Sequence, residues 1–252
     1  MTKQLSHILL FILLFPSCMP NENVTTSLEY PKMLNQSIEQ LINHKGYTVS
    51  YNPDRLIPNW AAYSLMKEKL NGTVPKDKGF YADPSVGDRT AKATDYKKSG
   101  YSRGHMAPAG DMKWDATAMH ESCYYSNICP QNMKLNSGVW NVIENKVRKL
   151  ANKCDVVYVV CGPIVPQKHQ TIGANKVAVP SAFFKAILVC DKREYKSIAF
   201  ICDNADLEGD CMQYATSVDS VESLLKMDLF YNLPDEIEDE VEARYVVDIM
   251  EY

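Results

Sequence analysis

The sequence predicts an α+β fold: a central antiparallel sheet with helices packed on it. Residues 156–161, 182–190 and 197–202 form short, β-branched apolar runs bounded by turn residues, the pattern of buried strands. Residues 136–152 place Val139, Trp140, Ile143, Val147 and Leu150 three and four apart, giving one apolar helical stripe. The 252 residues, 46% hydrophobic and 23% charged, without a repeating period, fit one domain with a single large core.

Taken in order, residues 1–17 carry Lys3, an apolar run over 8–16 and then Ser17, the pattern of an export signal. That run is shorter than the ~20 apolar residues a membrane-spanning helix needs. Cys18 follows a small residue at the end of the run, which fits cleavage before Cys18 and its acylation, so the expectation is a lipid-anchored envelope protein or a secreted one. Residues 18–29 read as a tether and 30–252 as the folded domain. Residues 47–51 and, in part, 60–65 alternate as strands do, whereas 71–101 is rich in Lys, Asp, Gly and Pro and reads as a long surface excursion. Residues 115–124 have helical composition with Asp115 as cap, and 218–227 and 235–244 read as helices.

There are eight cysteines; with Cys18 acylated an odd number remains, so at least one thiol stays free. Cys161, Cys190 and Cys202 sit in apolar runs as small buried hydrophobes, and no CxxC supports a zinc ribbon. The formal charge of −4 argues at first against an anionic partner. Yet residues 235–252 hold eight acids against the single base Arg244, a net −7 that leaves +3 for the rest. Lys76, Lys78, Arg89, Lys92, Lys97, Lys98 and Arg103 precede the most informative stretch, so a local cationic surface for phosphate is compatible with this composition. Solvated loop charge is the plainer alternative.

That stretch is 101–148, with Ser102-Arg103-Gly104-His105, Asn127-Ile128-Cys129-Pro130-Gln131, and then Asn136, Trp140, Glu144 and Arg148. On a continuous helix Asn136 falls in line with Trp140 and Val147 on the inward face, which suits either a helix cap or a functional amide. Glu144 and Arg148, four apart, can pair with each other and still face a cleft. In an extended segment Arg103 and His105 share one side; a neutral imidazole can take a proton from water while the guanidinium holds an anionic phosphate.

These residues resemble the active site of the DNA/RNA nonspecific endonucleases of the ββα-metal (His-Me finger) superfamily. The similarity runs from Trp60-Ala61-Ala62-Tyr63 through Ala82-Asp83-Pro84 and Gly162-Pro163 to the 217–234 region. It implies a ββα-metal finger in which His105 is the general base and Asn136 the direct protein ligand of Mg²⁺, with Mn²⁺ as a substitute. Glu144 would reach the metal through water, and Arg103 and Arg148 would hold phosphate. Lys78 would be the cation that stabilises the transition state, a Lys where the family usually has Arg, and so without the bidentate fork. Asn127 and Gln131 would bind substrate or shape its loop. Ser102 stands where the family most often has Asp. The implied reaction is hydrolysis of DNA or RNA to 5′-phosphate and 3′-hydroxyl ends, with a homodimer as the expected assembly. Two rivals are a catalytically weak surface nucleic-acid-binding lipoprotein and a thiol hydrolase using Cys123 or Cys129 with His105.

Overall fold

The computed structural model describes residues 27–35 and 38–251; the leader expected at 1–17 and the acylation expected at Cys18 lie outside them. In chain order the strands that frame the site are β1 (Gln40–Asn43), β2 (Thr48–Asn52), β3 (Ile57–Leu65), β4 (Ser102–His105), β5 (Ile128–Gln131), β6 (Val156–Ile164), β7 (Ala182–Asp191), β8 (Glu194–Asp203) and β9 (Ala215–Thr216). The α-helices longer than one turn among the described residues are α1 (Ala116–Ser122), α2 (Met133–Ser137), α3 (Val139–Ala151), α4 (Val218–Leu225) and α5 (Asp235–Glu242). Seven strands form one antiparallel sheet in the order β9-β8-β7-β6-β3-β2-β1, while β4 and β5 pair separately.

Both faces of the sheet are covered, which is why β7 is buried from Ala182 to Cys190 without polar alternation. One face packs Tyr63, Val157, Val159, Phe183 and Ile187 against the stripe of α3. The other packs Trp60, Val160, Phe184 and Leu188 against Val218 and Val221 of α4 and against Leu229 and Phe230. Each such apolar side chain contributes about 1.5–3 kcal/mol on burial.

Two boundaries differ from expectation. The fold begins before Tyr30: Leu28 packs into the second cluster, Glu29 is buried, and Asn232 Nδ2 donates to the Ser27 carbonyl at 3.0 Å. The helix expected over 136–152 is two helices, because Gly138 (φ −101°, ψ −113°) turns the chain between them, and a Cβ there would meet the Lys134 carbonyl oxygen at 2.5 Å. Asn136 therefore sits on α2 and not on the stripe of α3. After α5 the chain wraps back to the first face, where Ile249 and Met250 are buried and Lys146 Nζ of α3 donates to the Met250 carbonyl at 2.7 Å.

Candidate active site

β4 and β5 pair in antiparallel register from Ser102↔Gln131 to His105↔Ile128, and Ser102 Oγ donates to the Gln131 carbonyl at 2.8 Å. The chain leaves β5 into α2, which packs back on β4. Asn132 caps that helix, its Oδ1 accepting from the Lys134 and Leu135 amides. Two strands and a short helix thus form a finger seated on the first face of the sheet through Met106, Ile128, Cys129 and Leu135.

Asn127 and Gln131, expected to contact substrate or shape the loop, are fully buried. Asn127 Nδ2 donates to the Ala107 and Ser122 carbonyls and Oδ1 accepts from the Ala107 amide, each at 2.8 Å, so its amide is fully engaged beneath His105. Gln131 lies under Gly104, where any Cβ would meet its Oε1 at 2.1 Å.

Arg103 and His105 do share a side of β4, and Phe80 from the 71–101 excursion stands between them. Its ring centroid is 5.4 Å from that of His105 and 4.8 Å from Arg103 Cζ. Beside it Phe80, Tyr96, Tyr101, Ser102 and Arg103 line a recess of about 230 Å³. Burial, and then the charge of Lys76, push the His105 imidazole down to about 3, so it is neutral at pH 7. Cys123 Sγ lies 3.9 Å from His105 Nε2, but burial raises the thiols of both Cys123 and Cys129 above their ordinary value. Both shifts run away from the activated thiolate that the thiol-hydrolase alternative requires.

Arg148 does not pair with Glu144. Its Nη1 donates to Asp111 Oδ1 at 2.6 Å and its Nη2 to Asn145 Oδ1 at 3.0 Å, while Asp111 is fully buried with Oδ2 unpartnered. Glu144, half-buried beside this pair, is pushed up to about 7 by burial; Lys185 pulls the other way and Asp111 adds to the rise. Lys185 is fully buried on β7, its Nζ 4.6 Å from the Trp140 ring centroid and without a hydrogen-bond partner. Sequence reasoning passed over both Asp111 and Lys185, although a lysine inside the run Phe183-Phe184-Lys185-Ala186-Ile187 is a visible anomaly.

Asn136 is half-buried on α2, and among the described residues its side-chain amide has no hydrogen-bond partner. The unengaged amide oxygen of Asn136 on α2 and the desolvated Glu144 carboxylate on α3 are oxygen donors of the kind a mostly hydrated Mg²⁺ accepts, so these residues fit such an ion. Of the two lysines of the excursion's Lys76-Asp77-Lys78 segment, both exposed, Lys76 stands where its charge lowers the pKa of both His105 and Glu144. Between them Asp77 fixes the loop, accepting from the Tyr81 hydroxyl (2.9 Å) and the Gly79 amide (3.0 Å) and meeting His120 Nδ1 at 2.9 Å.

A ββα finger mounted on a two-faced antiparallel sheet, with a neutral histidine on its strand and an unengaged asparagine on its helix, defines the class of fold and site. Comparison narrows it. Residues 25–236 match the family model for DNA/RNA non-specific endonucleases, and the chain belongs to that family. It is 36% identical over 202 residues to the mitochondrial nuclease EXOG of Xenopus laevis, covering 73% of this chain and 56% of that protein. It is 35% identical over 164 residues to human mitochondrial endonuclease G, covering 60% and 55%. The chain thus spans about half the length of the curated relatives it matches. A crystal structure of an EndoG/EndoGI complex superposes with a TM-score of 0.75 at 28% identity, covering 80% of this chain and 89% of that one.

Proposed function

We propose that this chain is a Mg²⁺-dependent endonuclease that hydrolyses phosphodiester bonds of DNA, RNA or both without reading sequence, leaving 5′-phosphate and 3′-hydroxyl ends. The observation that carries the reading is one finger presenting a neutral His105 on its strand and an unengaged Asn136 amide on the helix packed against that strand. Asn136 would hold the ion, with Glu144 reaching it through water; when bound, it supplies Lewis-acid stabilisation of the departing 3′ oxygen. Arg103 and Arg148 hold the phosphate, the latter pre-set by Asp111. His105 takes the proton of the attacking water on a ring nitrogen. An anionic phosphate beside it offsets the charge of Lys76 and strengthens it as a base. Contacts to phosphate carry little sequence information. Export through residues 1–17, a lipid anchor on Cys18 and assembly with a second copy complete the proposal.

The test is nicking of supercoiled plasmid and cleavage of RNA in Mg²⁺ and in EDTA. His105→Ala is expected to abolish cleavage while leaving DNA binding nearly intact, and Asn136→Ala to lose most of the rate and weaken its dependence on metal concentration. Wild-type rates in both variants would overturn the assignments. DNA binding by the unaltered protein without cleavage in Mg²⁺ would instead favour the catalytically weak binding protein.

A further inference from the structure

The face of the sheet opposite the finger carries a second concentration of charge. Asp219 and Glu222 on α4 and Glu242 at the end of α5 each place a carboxylate oxygen within 4.8 Å of the others. Asp228 and Glu238 add their charge to the same cluster. Among the described residues none of these five acids forms an ion pair with Lys, Arg or His. Glu242 is only 3% exposed, yet its Oε1 has no hydrogen-bond partner, and Glu238 Oε1 is buried and bare as well. Burial first, and the neighbouring acids second, push Glu222 and Glu238 up to about 7 and Glu242 up to about 10. Buried carboxylates without a counter-charge are expensive, and the fold converges them where α4 and α5 both lie on β8.

The geometry points to a divalent-cation site: we propose that Asp219, Glu222 and Glu242 bind one Ca²⁺ that ties α4 to α5. An all-oxygen, anionic donor set selects a hard cation. The three oxygens lie within 4.8 Å of one another, close enough to share one ion, and Ca²⁺ accepts six to eight oxygens in flexible geometry where Mg²⁺ demands a near-ideal octahedron. Glu222 Oε1 accepts from the Leu229 amide at 2.5 Å, which fixes that carboxylate and leaves its second oxygen to the ion. Asp219 is exposed, so water can complete the coordination on that side.

Thermal unfolding and bound-metal analysis of the full chain, stripped with EDTA and titrated with CaCl₂, test this. The Asn136→Ala background keeps the nuclease site from contributing. In that background Ca²⁺ is expected to raise Tm by at least ~4 °C and to remain at one ion per chain after desalting. Adding Glu242→Gln, or Asp219→Asn at the exposed rim, should remove both effects. Glu242→Gln should also be at least as stable as its parent in EDTA, because it relieves like-charge repulsion. No Tm shift and no retained Ca²⁺ in the Asn136→Ala protein would overturn the proposal, leaving shared protons to hold the cluster. Full Ca²⁺ responses in both added variants would overturn it equally.

Discussion

Arg148 reaches from α3 to Asp111 across 2.6 Å, so its guanidinium is oriented by a buried carboxylate 37 residues away and not by Glu144 one turn earlier. A pair in which one partner is fully buried responds unequally to loss of either side.

Arg148→Ala leaves Asp111 as an unpaired buried charge and is expected to cost roughly 3–5 kcal/mol of stability. Asp111→Asn keeps the shape, removes the charge and should cost less, while still lowering nuclease rate by freeing Arg148. Urea unfolding of both single variants and the double variant checks this; additive losses would show that the pair is not coupled.

Glu144 and His105 give opposite pH signatures. Glu144 sits at about 7 in the fold against 4.5 ordinarily, so its stabilising contribution is full below 4.5 and lost as pH rises through 7. His105, at about 3 against 6.5, contributes stability that is full above 6.5 and falls as pH drops toward 3. Glu144→Gln should therefore stabilise the protein at pH 8 in EDTA by on the order of 2 kcal/mol, have little effect at pH 4.5, and lower Mg²⁺-dependent cleavage by about 10–100-fold. Denaturant titrations at the two pH values would show the difference; equal effects at both would refute it.

Lys76 and Lys78 differ by two positions and should differ in effect. Lys76→Ala removes a charge that lowers the His105 imidazole and is expected to move the acid limb of the pH–rate profile upward, whereas Lys78→Ala, which removes the cation proposed to stabilise the transition state, is expected to slow cleavage by at least about tenfold. Single-turnover rates on one oligonucleotide, taken across pH, check both.

The proposed export and anchoring predict that the chain expressed with its own leader partitions into the detergent phase and takes up labelled palmitate. Cys18→Ser should lose the label, and an unlabelled parent would remove the lipid anchor.

The periodic stripe Val139, Trp140, Ile143, Val147 and Leu150 and the three apolar runs were legible because burial imposes them on neighbouring residues. Asp115 was equally readable as a cap; its Oδ1 accepts from the Thr117 and Ala118 amides. The break at Gly138 was not, since the helical spacing continues across it and only the crossing of α2 over β4 requires it. Partners distant in sequence were invisible too: nothing local in Glu144 and Arg148 shows that Asp111 takes the guanidinium, or that Lys185 comes up beneath Trp140 from another strand. The Asp77 tether of the loop carrying Lys76 and Lys78 was equally hidden, since its partners Tyr81 and His120 lie up to 43 residues away.

Because Lys146 is moored to the Met250 carbonyl, the helix that presents Glu144 and Arg148 shares its outer support with the last turn of the chain. Hydrogen-exchange protection of that helix and of the final turn should be gained and lost as one cooperative unit. A proteolytic nick near Arg244 would then quench the nuclease from the far end of the molecule while leaving the finger chemically intact.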